Sequence, residues 1–165
     1  MRTLPGPGFA GDDGSVSPQL GEALAAYDAD PSTRYDETLS VLQDHRLLVP
    51  VVAVLGDTEE DAQGLAHDKT SDMAAVLMKG RDGRTALLAF TGTESLRRWD
   101  PQARPVPVTA TDAARAAVQD GADALLVDVA GPVLLAVETD DLRELAQGNR
   151  LVQFSDRYGW VTPAR

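Results

Sequence analysis

Asp72 to Trp99 reads DMAAVLMKGRDGRTALLAFTGTESLRRW, and this stretch decides the fold. Two apolar runs, Met73 to Met78 and Ala86 to Phe90, flank the turn-forming GRDGRT, and helical spacing takes over in TESLRRW. The segment therefore reads as strand, hairpin turn, strand, helix. Asp123 to Ala146, DALLVDVAGPVLLAVETDDLRELA, runs through the same order with a Gly-containing turn, a second Leu-Leu-Ala strand and a helix holding Leu-Arg. The pattern predicts two ββα repeat units, with Thr93 and Thr139 as equivalent helix caps. It places the chain in the α+β class, with a mixed, largely antiparallel sheet of about five strands and helices packed on it. The strands are apolar at consecutive positions rather than alternating, so both faces of the sheet are expected to be covered. The repeat helices are expected on one face, and the two N-terminal helices or a second subunit on the other.

Upstream, Ser17-Pro18 reads as an N-cap with proline at the first helical position, followed by Leu20, Leu24 and Tyr27 at helical spacing to about Asp28. Pro31-Ser32 restarts the chain, and Tyr35, Leu39, Leu42 and Arg46 mark one face of a second helix reaching about His45. Leu47 to Leu55 is a β-branched run in which Pro50 cannot donate a ladder hydrogen bond. This predicts a strand over Val51 to Leu55, with Pro50 at its start or on a sheet edge. GDTEEDAQGLAHDKT follows as a polar, acidic surface loop. Pro105 to Val108 is extended, and Thr111-Asp112 starts an Ala-rich helix that Gly121 ends. Residues 1–14 mix Pro, Gly and Asp without an apolar period and are expected to be a flexible leader. Residues 15–148 form the domain, and residues 149–165 are a tail partly packed through Phe154, Tyr158 and Trp160.

Composition narrows the chemistry. With 165 residues the chain suits one domain that buries about 70% of its unfolded surface. It has no cysteine, which removes disulfides, thiolate nucleophiles and the usual structural zinc sites. The net charge is −11, and residues 1–70 carry 13 acids against 4 bases, a field that repels nucleic acid. Nothing approaches the ~20 apolar residues of a membrane span, and no signal-peptide pattern opens the chain, so cytoplasmic residence without a membrane partner is expected.

His45 and His67 are the only histidines, and neither sits in a G-x-S-x-G, H-E-x-x-H or H-x-E pattern. Asp28, Asp30, Ser32 and Asp36 fall at calcium-loop positions 1, 3, 5 and 9. Thr33 then occupies the glycine position and Leu39 the glutamate position, so the match fails. Asp57, Glu59, Glu60 and Asp61 are read as a solvated charge run. No catalytic residue, cofactor or metal is expected. The polar segment Lys69, Thr70, Ser71 and Asp72, together with Thr91, Arg98 and Trp99, is the candidate interaction surface. Trp99, beside Arg97 and Arg98, could anchor a partner, but it is read first as a core or semi-buried tryptophan.

These residues resemble a known family, the bacterial proteins with an SseB N-terminal domain (enhanced serine sensitivity family), in their actinobacterial-type single-domain form. The resemblance spans about Leu20 to Ala146. It rests on LLVPVVAVL (Leu47 to Leu55), KTSDMAAV (Lys69 to Val76), LLAFTGTESLRRWDP (Leu87 to Pro101), RPVPV (Arg104 to Val108) and DGADALLVDVAGPV (Asp120 to Val133). It implies a compact α+β domain and brings no reaction, cofactor or catalytic set. The chain is therefore expected to be a non-catalytic binding or regulatory domain with a protein partner, a monomer being favoured over a homodimer. The alternative is a small-ligand-binding or weakly enzymatic domain using Lys69, Ser71, Asp72 and Thr91 around a polar pocket between the two ββα units.

Overall fold

Two prolines set the first elements. Pro18 opens helix α1 (Pro18–Ala29), whose N-cap Ser17 accepts a hydrogen bond from Leu20 N–H at 3.1 Å; Pro31 opens α2 (Pro31–Leu42). The computed structural model describes Phe9, residues 11–53 and residues 73–164. The acidic loop with His67, the charge run at Asp57 to Asp61, the Val54-Leu55 end of the predicted strand, and Lys69 to Asp72 lie outside the described residues, as does most of the leader.

The remaining elements run β1 (Arg46–Ala53), β2 (Met73–Ala75), β3 (Leu77–Lys79), β4 (Thr85–Ala89), α3 (Thr93–Trp99), β5 (Arg104–Thr109), α4 (Ala110–Gln119), β6 (Ala124–Val127), β7 (Leu135–Glu138), α5 (Thr139–Ala146), β8 (Arg150–Phe154) and β9 (Arg157–Val161). The class is α+β, and the described strands form three sheets ordered β2-β1-β5, β3-β4-β6-β7 and β8-β9. The β3–β4 hairpin turns at GRDGRT, where Gly80 N–H donates to Arg84 O and Gly83 takes φ +87°. Five strands were expected. Nine are described: the Met73 to Met78 run splits into β2 and β3, the extended Pro105 to Val108 stretch pairs as β5, and the tail supplies β8 and β9, turning at Ser155 with φ 59°.

Pro50 is a correction to the sequence reading. It lies inside β1, a central strand, opposite Pro105. Leu48 exchanges both backbone hydrogen bonds with Phe90 at 2.8 Å, so by alternation Pro50 faces the same side, away from β5. On that side the partner strand breaks at Val76, between β2 and β3, and β1 passes from pairing with β2 to bridging Phe90. The proline sits where the ladder changes partners.

The two ββα segments share an order of elements, but their helices lie on opposite faces of the four-stranded sheet. Leu87, Ala89, Leu125, Val127, Leu135 and Val137 point to the side covered by α5 (Leu142, Leu145), α1 (Leu20, Leu24), α2 (Leu39, Leu42) and the Ala-rich face of α4. Leu88 and Phe90 point the other way, to α3 through Leu96 and Trp99. The N-terminal helices thus share a face with the second repeat helix, contrary to expectation. The cause is topological: β4 and β6 are parallel, so the second hairpin enters turned over relative to the first, and its helix follows onto the opposite side. Thr93 and Thr139 are both first residues of their helices, and neither caps; the N-cap positions are Gly92 and Glu138, without a side-chain bond. In α4 the cap is Thr109, which accepts from Asp112 N–H at 3.0 Å, and Gly121 (φ +77°) ends the helix.

Side-chain links close the fold. Buried Thr38 of α2 donates its hydroxyl to Arg34 O at 2.7 Å and approaches Ala23 O of α1 at 3.2 Å. Gln43 pairs its amide with β8 like a ladder step, accepting from Leu151 N–H at 2.9 Å and donating to Leu151 O at 2.8 Å. Asp141 accepts from Tyr35 at 3.0 Å and Trp160 at 3.1 Å; burial, with this carboxylate alongside, pushes the Tyr35 phenol pKa upward.

Candidate functional site

The described residues enclose a cleft of about 1050 Å³ between α1, the first turns of α3 and the β6–β7 loop. Its floor is built where β4 ends. Thr91 follows Phe90 and is buried, as are Ser95 one turn into α3 and Asp128 just past β6. Asp128 is only 2% exposed and takes φ 58°, a left-handed conformation that Asp tolerates better than most residues. From there its carboxylate accepts Thr91 N–H at 2.9 Å and the Thr91 hydroxyl at 2.7 Å. Its pKa is raised because burial penalises the charge, and the two donors from Thr91 offset this only in part. Ser95 donates its hydroxyl to Gly92 O at 3.1 Å.

One wall of the cleft is a strap, residues 11–16. Residues 11–14 were expected to belong to a flexible leader, and in the structure they dock. Arg46, 12% exposed, donates through Nε and one terminal nitrogen to Asp12 at 2.6 and 3.1 Å. It also donates to Ser15 O at 3.0 Å and to Thr91 O at 2.5 Å. This fork pins the strap to the β4–α3 turn and holds the Asp12 carboxyl pKa below the usual carboxylate range. Thr93 N–H donates to Gly14 O at 2.7 Å. A Cβ on Gly92 would come within 3.0 Å of Gly14 O and 3.1 Å of Val16 N, so backbone meets backbone here because Gly92 has no side chain. Gly14 has φ +87°, and a Cβ there would overlap the Thr93 hydroxyl.

The rest of the lining is apolar and charged. Val16, Leu24, Ala25 and Val133 give one side, and Glu94, Arg97 and Arg98 stand along α3. Arg98 approaches Glu94 at 4.0 Å, both side chains exposed, a pair of little energetic weight.

Of the residues singled out from sequence, Thr91 is at the cleft floor and Arg98 on its lining. Trp99 turns away, semi-buried, and packs on Phe90 with ring centroids 5.7 Å apart. His45 sits beside a smaller cavity, its Nδ1 2.8 Å from Val41 O. Asp30 of the failed calcium match binds the hydroxyls of Ser32 and Thr33 at the α1–α2 junction. Among the described residues no three His, Cys, Asp or Glu side chains gather as a metal-binding group, and no helix is long and apolar enough to cross a membrane. Sequence reasoning missed Asp128, Ser95, Arg46 and the strap. For Asp128 the signal was a lone acid directly after the apolar Ala124 to Val127.

In comparisons with known proteins, the family described as SseB protein N-terminal domain matches residues 20–144. No curated protein and no solved structure matches the chain.

Proposed function

The chain belongs to the SseB N-terminal-domain family, and from that premise we propose that it is a non-catalytic binding domain whose cleft takes a segment of a protein partner. One observation carries this reading: the polar groups that converge on the cleft floor are consumed by one another. Thr91 gives both its donors to Asp128, Ser95 gives its hydroxyl to Gly92 O, and all three side chains are buried. Nucleophilic chemistry needs a hydroxyl presented to substrate with a base beside it, and here hydroxyl and carboxylate are closed into a structural clip. What the cleft presents outward is an apolar side from α1 and the β6–β7 loop, and the α3 arginines. That combination suits an apolar anchor with acidic or amide neighbours. The reading involves no nucleic acid, no membrane and no cofactor.

The cleft volume also supports a second reading, since small-molecule pockets run to about 1,000 Å³ and this one lies between the two ββα segments, with the strap as an added wall. One experiment separates them. A photo-crosslinking residue is placed at Arg97, and in a control at Val118, exposed on α4 outside the cleft. The protein is then irradiated in its native host. A discrete protein adduct at 97 and not at 118 supports the first reading. A small mass retained in native mass spectrometry, without a protein adduct, supports the second. The same adducts at both positions overturn the cleft as the binding surface.

A further inference from the structure

Among the described strands β5 is the outer one of its sheet, antiparallel to β1, with Leu47 opposite Val108 and Val49 opposite Val106. Which of its backbone groups face outward follows from β1. Leu48 turns both its N–H and its C=O to Phe90. Backbone direction alternates along a strand, so Leu47, Val49 and Val51 turn to β5 and bond to Val108, Val106 and Arg104. Pro105, Pro107 and Thr109 then point away from the sheet. The first two of these outward positions have no N–H to give, and the third is the N-cap of α4. Every residue of β5 except Val108 is exposed.

From this phase we infer that Pro105 and Pro107 close the β5 edge to strand addition by a second copy of this chain. Prolines spaced by two can fall only on one side of a strand. Shifted by one residue, they would delete the bonds to β1; where they stand, every donor used inside the sheet survives, and of the three outward positions only Thr109, at the α4 end, keeps an N–H. Without them the edge would be a short, exposed, antiparallel template carrying Val106, 40% exposed, and such an edge pairs with its own copy. The valines supply strand propensity, and the prolines confine its use to one side.

The test replaces both prolines by threonine, which restores the two donors and favours extended backbone. Light scattering over a concentration series then compares Pro105→Thr/Pro107→Thr with the unaltered chain. The variant is expected to reach about twice the weight-average mass of the unaltered chain at concentrations where the latter does not change, and adding Val106→Lys is expected to reverse this. A folded double variant, checked by circular dichroism, whose mass tracks the unaltered chain overturns the inference, as does association that Val106→Lys leaves intact. The single variants Pro105→Thr and Pro107→Thr, each restoring one donor, carry the same comparison if the double variant does not fold.

Discussion

The starts of α3 and α5 are alike in sequence and different in what they become. Each follows a Leu-Leu-Ala strand, and each helix opens on threonine. At α5, Thr139 N–H bonds back to Asp123 O at 3.2 Å, and the Glu138 side chain reaches Arg84 at 3.1 Å on the surface. At α3, Thr93 N–H bonds to Gly14 O of a third segment, and Gly92 lets that segment lie directly on the turn. At α5 the helix start is tied within its own hairpin. The strap arrives at one helix start and not at the other, and there it supplies one wall of the cleft.

If the strap makes that difference, breaking its anchor should have the largest effect. Arg46→Met keeps the apolar stem and removes four hydrogen bonds, three to the strap and one to Thr91 O. Because bonds to charged groups contribute about 1.5–3 kcal/mol each but share one side chain, a loss of about 2–4 kcal/mol is expected in denaturant titration. Rapid protease cleavage within residues 11–16 should accompany it. An unchanged midpoint would show that the strap is not held by this residue.

The clip beneath the strap comes next. Thr91→Val removes one donor from a carboxylate that stays buried and should cost about 1–3 kcal/mol. Thr139→Val, at the exposed start of α5, should remain within about 0.5 kcal/mol. Equal effects at the two positions would erase the distinction between the two helix starts.

The smallest effect is in pH dependence, where the two carboxylates of the site act with opposite sign. Asp128 has a raised pKa in the folded chain, so between that value and its unfolded value near ~3.9 the native state holds the extra proton, and stability rises as pH falls. Asp12 has a lowered folded pKa, so its contribution is complete above ~3.9 and is lost as pH falls toward the folded value. Subtracting the stability profile of Asp128→Asn from that of the unaltered chain should leave a gain on mild acidification. The same subtraction for Asp12→Asn should leave a loss at lower pH. A flat difference for either would remove that residue from the account.

The elements that sequence made legible are those whose signals are local. Ser17-Pro18 and Pro31 mark the helix starts because a cap and a proline act within one turn, and GRDGRT marks its hairpin because a turn needs only its own residues. Pro50 misled because its tolerance depends on a break in the partner strand at Val76, which no property of β1 encodes. Sequence starts α4 at Thr111-Asp112, whereas its cap is Thr109, since two threonines two residues apart give the same propensity and only β5 pairing chooses between them. The cleft was illegible for a stronger reason. Its wall, Gly11 to Val16, has no period and is held by bonds from Arg46 and Thr93 to atoms that include backbone carbonyls, which every residue possesses.

The pairing of Gln43 with Leu151 also bears on synthesis. The end of α2 and the strand that satisfies it are separated by most of the domain, and Asp141 waits likewise for Trp160. On the ribosome the hairpin is made after the elements it joins, so a nascent chain that has completed the segment matched by the family, residues 20–144, still lacks the partners of the Gln43 amide and one of those of Asp141. A fragment cut at the family boundary would stop before the strand that satisfies Gln43 and before the indole that Asp141 holds.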